Sequence, residues 1–338
     1  MPSLKRIPLL FAVHGIFSSV RHQCCPWIAA FRIRERCPRT AGRTGMSEQG
    51  TIAVRGGNVV WYRNATEHSS RAPLVVIHGG PGVGSHYVKP FFDLSDQRPV
   101  ITWDQLDNGR SDRPQNPELW TLTRFAEELD TIRHRLCAGP VHLLGHSFGS
   151  MVLMEWLSST ALDDVLSVTL ASPCLSMADW KQDTDQIVAS LSPAARHAIA
   201  TAIETGDYAS EEFEAANWDE YVPRCICRSL SSKALREMFA DSNDDMMSSM
   251  WGPTDFIPIG TMRSYSRLET LPRLTMPVLF HCGQWDEAVP QRVEAYSQLC
   301  RDGHFAMAEN SGHLTMVDDR AGTMKVIRDF LSRAESRD

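Results

Sequence analysis

A serine flanked by glycines is the pattern in this chain with the clearest chemical meaning. Segment 145–149 reads Gly-His-Ser-Phe-Gly, with Ser147 at its centre. An apolar run at 141–144 precedes the segment, and a helix-like apolar run at 151–157 follows it. This order predicts a strand, a sharp turn and a helix, with the serine at the turn. Because such a turn holds the hydroxyl clear of its own backbone, beside a helix N-terminus that stabilises negative charge, we predict that Ser147 is a nucleophile.

A nucleophilic serine needs a base and an acid that orients the base, and two later loops offer both. Asp286 follows an apolar run at 276–281, and His313 lies in the loop after the last predicted strand. Glu287 is the alternative to Asp286, which we prefer because it lies nearer the strand end. The order Ser147, Asp286, His313 is the order of the catalytic triad in α/β-hydrolases. The three residues therefore predict a serine hydrolase.

The elements that must position these residues alternate between buried strands and helices. Predominantly apolar runs at 74–77, 100–103 and 165–171 are typical of strands buried on both faces of a parallel sheet. The stretch 123–136 has the period of an amphipathic helix, and a hairpin signature at 56–57 precedes the first buried run. The sequence therefore predicts an α/β fold, a mostly parallel sheet with helices on both faces.

Residues 175–271, which we call the helical block, interrupt this alternation. No buried strand is predicted within it, and helical patterning recurs in three stretches: 194–205, 211–218 and 233–239. Helices inserted between two core strands are typical of a cap over the carboxyl edge of the sheet, where such sheets bind ligands. We therefore divide the chain into a core, 46–174 with 272–338, and an inserted helical cap, 175–271.

Residues 1–45 differ from the rest of the chain in charge. They hold eight basic side chains against Glu35 alone, a formal charge of +7. Subtracting this value from the net charge of −7 leaves −14 on the remaining residues, which argues against nucleic-acid binding. Three interpretations stay open: a signal or transit peptide, a basic binding arm, or an upstream start that is not normally translated. We favour a dispensable extension, because Met46 opens Met-Ser-Glu-Gln-Gly directly ahead of the first strand.

Composition excludes several other classes of protein. No apolar run reaches the 18 or more residues of a membrane span, so we expect no membrane insertion. The nine cysteines lack disulfide-framework spacing, which indicates a reducing compartment and a cytoplasmic protein. The histidines do not cluster at ligand spacing, so we expect neither a metal nor another cofactor.

Motifs beyond the triad resemble the proline iminopeptidase family of α/β-hydrolases. Three of them lie in the predicted core: 78–82 (His-Gly-Gly-Pro-Gly), 104–111 and 145–149. In the helical block, 250–256 (Met-Trp-Gly-Pro-Thr-Asp-Phe) is similar to the Met-x-Gly-Pro-x-Glu-Phe segment of one branch. That branch contains the tricorn-interacting aminopeptidase and bacterial L-amino-acid amidases. The resemblance covers 51–331 and implies the α/β-hydrolase fold with an inserted cap.

This resemblance implies an enzyme that cleaves an N-terminal residue, often proline, from a peptide or an amino-acid amide. Ser147 would form an acyl-enzyme, and the backbone N–H groups of Gly80 and Phe148 would hold the oxyanion. Two acids of the helical block, Glu214 and Asp255, match the positions that hold the free α-ammonium group of the substrate. Such a carboxylate pair in a partly dry cleft attracts a cation and disfavours neutral acyl substrates.

The sequence also departs from the family pattern. Asp255 stands where the pattern has Glu, so its reach is shorter by one methylene, and Asp107 replaces a glycine within 104–111. Extra residues between 218 and 228 make the alignment of Glu214 ambiguous. Three nearby acids are rivals for its role: Glu211, Glu212 and Glu220.

Two other functions remain open on the same residues. The triad could serve an esterase or lactonase that acts on a neutral small molecule. The fold could also serve a non-catalytic ligand receptor, although a receptor has no need of Ser147, Asp286 and His313 together. Because the residues of the helical block would decide between peptide and ester substrates, we expect free-amine substrates to distinguish the two enzymes.

Overall fold

The structure is a computed structural model that describes residues 46–66 and 69–336. Its eight strands are β1 (Met46–Ala53), β2 (Val59–Thr66), β3 (Leu74–Ile77), β4 (Val100–Trp103), β5 (Val141–His146), β6 (Val165–Ala171), β7 (Val278–Gly283) and β8 (Gly303–Ala308). They form one sheet in the order β1-β2-β4-β3-β5-β6-β7-β8. The pairs β1–β2 and β2–β4 are antiparallel and all other neighbours are parallel, which confirms the predicted mostly parallel sheet.

Ten α-helices accompany the sheet among the described residues. They are α1 (Leu122–Leu136), α2 (Phe148–Ser159), α3 (Met177–Ala189), α4 (Pro193–Thr205), α5 (Glu211–Ala215), α6 (Ser232–Met238), α7 (Asp244–Met250), α8 (Pro290–Ser297), α9 (Thr315–Asp318) and α10 (Arg320–Glu335). Helices of 3-10 type cover Ser85–Asp96, Pro117–Leu119 and Leu268–Arg273, and a π-helix covers Ala216–Ile226. In that part of the chain, no helix is both long and apolar enough to cross a membrane.

The two faces of the sheet are covered by different helices. On β3, Val75 and Ile77 pack in a cluster with α1 and α2, whereas Leu74 and Val76 pack with α10 and the helix Ser85–Asp96. This alternation follows from the strand geometry, in which successive side chains point to opposite faces. Predominantly apolar strands are therefore expected in the middle of the sheet, as the sequence predicted.

The ends of single elements also follow local chemistry. Helix α1 begins after Thr121, whose hydroxyl accepts the N–H of Arg124 at 3.2 Å. Strand β7 begins at Val278, two residues later than the predicted run, after Pro277, which has no N–H to donate to a ladder. The predicted hairpin is present, and its strands pair from Ala53 opposite Val59 outward.

The helical block contains more helix than its sequence pattern predicted. Helices α3 and α7 were not expected, and the predicted helix at 211–218 divides into α5 and the π-helix that follows it. Pro223 lies within that π-helix, where the Cys227 N–H reaches back five residues to the Val222 carbonyl. Between β6 and β7 the described chain holds no strand, only a bridge between Ser176 and Ser266.

The proposed domain boundaries remain predictions. One apolar cluster includes Phe213 and Tyr221 of the helical block together with Leu144 and Met316 of the predicted core, so the block packs directly on the core. The interpretations given to residues 1–45 lie outside the described residues.

Candidate active site

The turn between β5 and α2 places Ser147 at a strained backbone position. Its φ of 54° and ψ of −126° lie outside the usual regions for a residue with a side chain. Gly145 and Gly149 must lack side chains, because a Cβ on Gly149 would lie 2.3 Å from the Ile77 carbonyl oxygen. A Cβ on Gly145 would lie 2.6 Å from the Gly149 carbonyl oxygen. The glycine spacing that the sequence showed is therefore required by the close packing of strand and helix.

His313 and Asp286 meet at the same edge of the sheet. His313 Nδ1 donates to Asp286 Oδ1 at 2.8 Å, whereas the nearest oxygen of Glu287 lies 3.8 Å from the same nitrogen. The Asp286 carboxylate also accepts the N–H of Ala288 at 2.8 Å. Asp286 rather than Glu287 is thus held in the geometry that orients an imidazole. Within the described residues no hydrogen bond joins Ser147 Oγ to His313, a contact that in many enzymes forms only with substrate bound.

A pocket of about 220 Å³ brings these residues together. Ser147, His313 and Gly80 line it from the strand ends of the core. Asp255 and Glu287 add two carboxyl groups, and the exposed Asp244 adds a third. Its apolar wall comes mainly from other segments: Val83, Trp218, Ile226, Phe239, Met247 and Leu314. The pocket therefore combines the serine and histidine of the predicted triad with acidic side chains and an apolar surface.

The oxyanion loop, residues 78–82, approaches the nucleophile closely. A Cβ on Gly79 would lie 2.9 Å from the Ser147 Cβ, and Gly80 has a positive φ of 125° that favours glycine. Phe148 opens α2, where the first N–H groups of a helix have no partner within that helix. Gly80 thus follows the residue that approaches Ser147, and Phe148 directly follows Ser147, so their N–H groups remain the predicted oxyanion donors.

Burial and charge together shift the pKa values in the pocket. Burial raises the pKa of Asp255, and burial together with the charge of Asp255 raises the pKa of Glu287 well above its usual value. Burial alone would lower the pKa of His313, but the charges of Asp286, Glu287 and Asp255 raise it to about 9. Tyr221 donates its hydroxyl to Glu287 at 2.7 Å. Asp286, Glu287 and Asp255 therefore stabilise a positive charge on His313, and a bound cation would in turn favour the ionised forms of Asp255 and Glu287.

Comparison with known proteins identifies the family. The model of the α/β-hydrolase fold family matches residues 72–319. A proline iminopeptidase from Heyndrickxia coagulans is 35% identical over 289 residues, which span 85% of this chain and 99% of that relative. The chain belongs to the proline iminopeptidase family of α/β-hydrolases. The predicted fold and the predicted family are both confirmed.

Other members and neighbours agree with this membership. A proline iminopeptidase from Lactiplantibacillus plantarum is 28% identical over 82% of this chain and 98% of its own length. The crystal structure of the Mycobacterium smegmatis proline iminopeptidase superposes with a TM-score of 0.74 at 25% identity, covering 85% of this chain and 98% of that one. The protein VinJ superposes with a TM-score of 0.79 at 28% identity, covering 85% and 99%. An esterase from Thermogutta terrifontis, at 18% identity, shares the fold.

In this proline iminopeptidase family member, Glu214 does not reach the pocket. Its carboxylate accepts from Arg236 at 2.8 Å in an ion pair on the surface, and α5 directs it away from Ser147. Its rivals are not in the pocket either: Glu220 accepts both the N–H and the hydroxyl of Ser192, and Glu211 and Glu212 also lie elsewhere. The expectation for Glu214 needs correction, because its carboxylate is paired with Arg236 outside the pocket.

Glu287 occupies the pocket of this family member instead. From the sequence, Glu287 was predicted only as an alternative to Asp286 in the triad, which it directly follows in the loop after β7. Consecutive residues in a loop can face different sides, so Asp286 contacts His313 while Glu287 lines the pocket. The signal in the sequence for an acid in the pocket was the succession of two acidic residues after a core strand.

Two buried indoles, one of them in the 250–256 motif, hold the backbone of Asp255. Trp180 and Trp251 donate their ring N–H groups to the backbone carbonyl of Asp255 at 2.9 and 3.0 Å. Their rings meet edge to face with centroids 5.3 Å apart, and Trp180 also contacts the ring of His313. Their two hydrogen bonds fix the position of the Asp255 backbone beside the pocket.

Proposed function

We propose that this chain is a serine aminopeptidase that releases an N-terminal residue, proline or a small apolar one, from peptides or amino-acid amides. The observation that carries the proposal is a single pocket that holds Ser147 and His313 beside the acid pair, Asp255 and Glu287. A free α-ammonium group is the part of such a substrate that two carboxyl groups recognise. The relatives named proline iminopeptidase support the same reaction.

In the proposed mechanism, Ser147 attacks the carbonyl carbon of the N-terminal residue while His313 takes the hydroxyl proton. Asp286 holds the imidazole in place through its bond to Nδ1. The N–H groups of Gly80 and Phe148 stabilise the negative oxygen that forms. His313 then returns the proton to the departing amine, which leaves an acyl-enzyme. Water attacks this ester with His313 again as base, and the free amino acid is released.

The acid pair links substrate binding to the protonation state of the base. A bound ammonium group favours the ionised forms of Asp255 and Glu287, whose pKa values are raised in the empty pocket. The same positive charge disfavours the charged form of His313, whose pKa of about 9 would otherwise keep it protonated at neutral pH. A substrate with a free amine therefore helps to generate the neutral imidazole that the first step needs.

The test is a panel of aryl amides that differ only at the amine. We expect hydrolysis of prolyl and alanyl naphthylamides, loss of that hydrolysis in Ser147→Ala, and at least a ~100-fold lower kcat/KM for the N-acetylated forms, since a charged partner is lost. Simple nitrophenyl esters serve as the comparison substrates. Equal kcat/KM values for the free and the acetylated amides would refute the role of the acid pair. Activity on the esters alone would indicate an esterase.

We also propose a reducing, cytoplasmic location. Each of the six cysteines in the described part of the chain carries a free thiol. Free thiols are typical of compartments in which disulfides do not persist. Cell fractionation with an antibody against the native protein tests this location, and recovery in a secreted fraction would contradict it.

A further inference from the structure

Two buried side chains without a role in the proposed chemistry connect the oxyanion loop to His313. Tyr87, in the helix Ser85–Asp96, accepts the Gly79 N–H with its hydroxyl, and that hydroxyl lies 2.9 Å from Nδ1 of His146. On the other side of the His146 ring, Nε2 lies 3.1 Å from the backbone carbonyl oxygen of His313. Tyr87 and His146 thus form a path of hydrogen bonds between the backbone of Gly79 and the backbone of His313.

The chemistry of the partners assigns every proton on this path. A carbonyl oxygen only accepts, so His146 donates from Nε2 to His313, and its Nδ1 is an acceptor in the neutral ring. The Tyr87 hydroxyl then donates to that Nδ1 while its oxygen accepts from Gly79. Burial lowers the pKa of His146 to about 3 and raises the pKa of Tyr87, so both stay neutral. The path is a fixed, directional set of hydrogen bonds rather than a titrating pair.

The carbonyl group of Gly79 is also held by hydrogen bonds, from a different set of residues. His78 Nδ1 donates to the Gly79 carbonyl at 2.8 Å, and the Gln105 N–H donates to His78 Nε2 at 3.1 Å. The Gln105 side chain also donates to the His78 carbonyl at 3.0 Å. In a planar trans peptide, the carbonyl and the next N–H point in opposite directions. Fixing the Gly79 carbonyl therefore fixes the direction of the Gly80 N–H.

We propose that Tyr87 and His146 are positioning residues that hold the oxyanion loop in register with the backbone of His313. This inference rests on the proposed function, because it takes Gly80 as an oxyanion donor and His313 as the base. Tyr87 anchors the Gly79 N–H while His78 anchors its carbonyl, so the residue is held at both ends. Small displacements of a reacting group are costly in enzymes, and this loop lies in contact with the nucleophile.

The variant Tyr87→Phe tests the proposal, because it keeps the ring and removes the hydroxyl. We expect kcat on prolyl naphthylamide to fall about tenfold or more, with KM changed less than about threefold, since an oxyanion donor acts in the transition state. Tyr208→Phe is the matched control, because Tyr208 packs on Phe213 away from the pocket. We expect its kinetics to match those of the wild type.

Inhibition separates positioning from a general loss of structure. With L-prolinal, Ser147 Oγ adds to the aldehyde carbon and its proton passes through His313, so the former carbonyl oxygen occupies the oxyanion position. In Tyr87→Phe, the Ki of L-prolinal should rise by the same factor as kcat falls, while the Ki of proline stays constant. A kcat equal to that of the wild type, or an equal rise of both Ki values, would overturn the proposal.

Variants of His146 give an independent comparison. His146→Gln keeps a donor for His313 and an acceptor for Tyr87, whereas His146→Leu keeps neither, so we expect Gln to retain more kcat than Leu. If Leu does not fold, Tyr87→Phe alone decides. Should the wild type hydrolyse only nitrophenyl esters, the proposed substrate fails but the same variants are assayed on that ester. Equal kcat for wild type and Tyr87→Phe there would still refute the positioning role.

Discussion

In the proposed function, Glu287 and Asp255 form one pair of carboxyl groups that serves both substrate recognition and the tuning of the base. Both line the pocket of Ser147, and both raise the pKa of the imidazole that must act as a base. In the proposed mechanism, a cation bound at these carboxyl groups favours the neutral imidazole, because it opposes the charges that raise the pKa of His313. Selectivity for a free amine and activation of His313 would then have the same electrostatic origin.

The pH dependence of Glu287→Gln tests this coupling. The groups that face His313 are Asp286, Glu287 and Asp255, which raise its pKa, and the neutral His146. Removing the Glu287 charge lowers the pKa of His313, and because the neutral base is the active form, the acid limb of kcat/KM should move to lower pH. KM for the free amine should rise about tenfold or more from the lost charge-assisted contact.

Glu214→Gln is the matched control for that experiment. It removes the same charge from an ion pair on the surface, so we expect neither the acid limb nor KM to move. The measurement is the pH profile of kcat/KM on prolyl naphthylamide for the wild type and both variants. An acid limb that moves to higher pH in Glu287→Gln would contradict the coupling.

At the scale of elements, the turn between β5 and α2 is defined by close packing. Gly149 meets the β3 backbone at Ile77, so the helix can begin against the strand only without a side chain at this position. The left-handed backbone of Ser147 is a second constraint on the same turn. Because these two constraints restrict which residues the turn can contain, the turn could be predicted from the sequence.

Gly149→Ala should therefore be far more harmful than Gly206→Ala. A methyl group at 149 would lie 2.3 Å from the Ile77 carbonyl oxygen, so strand or helix must shift, at a cost of about 3 kcal/mol or more in the free energy of unfolding. Gly206 has a positive φ of 74° but no atom within 4 Å of an added Cβ, so its cost is ~1 kcal/mol. Urea unfolding measures both, and equal losses would show that backbone strain rather than packing decides.

At the scale of the whole molecule, the end of the chain is tied to the start of two core strands. Arg98 is 1% exposed, and its guanidinium donates to Glu335 at the end of α10 and to the Ala72 carbonyl at 2.8 and 3.3 Å. His142 at the start of β5 also contacts Glu335, at 3.4 Å. Residues 237 positions apart in sequence thus meet at the edge of the sheet opposite the pocket.

Glu335→Gln should lower the free energy of unfolding at neutral pH by about 2 kcal/mol, because a charged hydrogen-bond partner is lost. Burial alone would raise the pKa of Glu335, but Arg98 and His142 outweigh it and lower the value. The stabilisation is therefore present above the unfolded pKa of ~4.3 and is lost as the pH falls through the folded value. The free energies of unfolding of the wild type and the variant, measured with urea, should become equal at acidic pH.

Asp329→Asn on the same helix is the control for Glu335→Gln. Its carboxylate pairs with Lys325 on the exposed face of α10, so stability should stay at the wild-type value. A constant difference between the wild type and Glu335→Gln at every pH would show that the contact acts by packing instead of charge.

The sequence by itself determined the core of this protein, because the core is encoded in local patterns. The apolar runs at 74–77 and 165–171 match β3 and β6 to the residue, since a strand buried on both faces tolerates few polar side chains. The glycines around Ser147 and the order of Asp286 and His313 likewise follow from the constraints of a single sheet edge.

Only the tertiary structure decided which acids reach the pocket and which side chains hold the loop. Glu214 and Glu287 are equally acidic in sequence, but α5 places one at the surface beside Arg236, and the loop after β7 places the other in the pocket of Ser147. The path from Gly79 through Tyr87 and His146 joins segments far apart in sequence. Local periodicity carries no information about the relative orientation of such segments, because that orientation is set by how the helical block packs on the sheet.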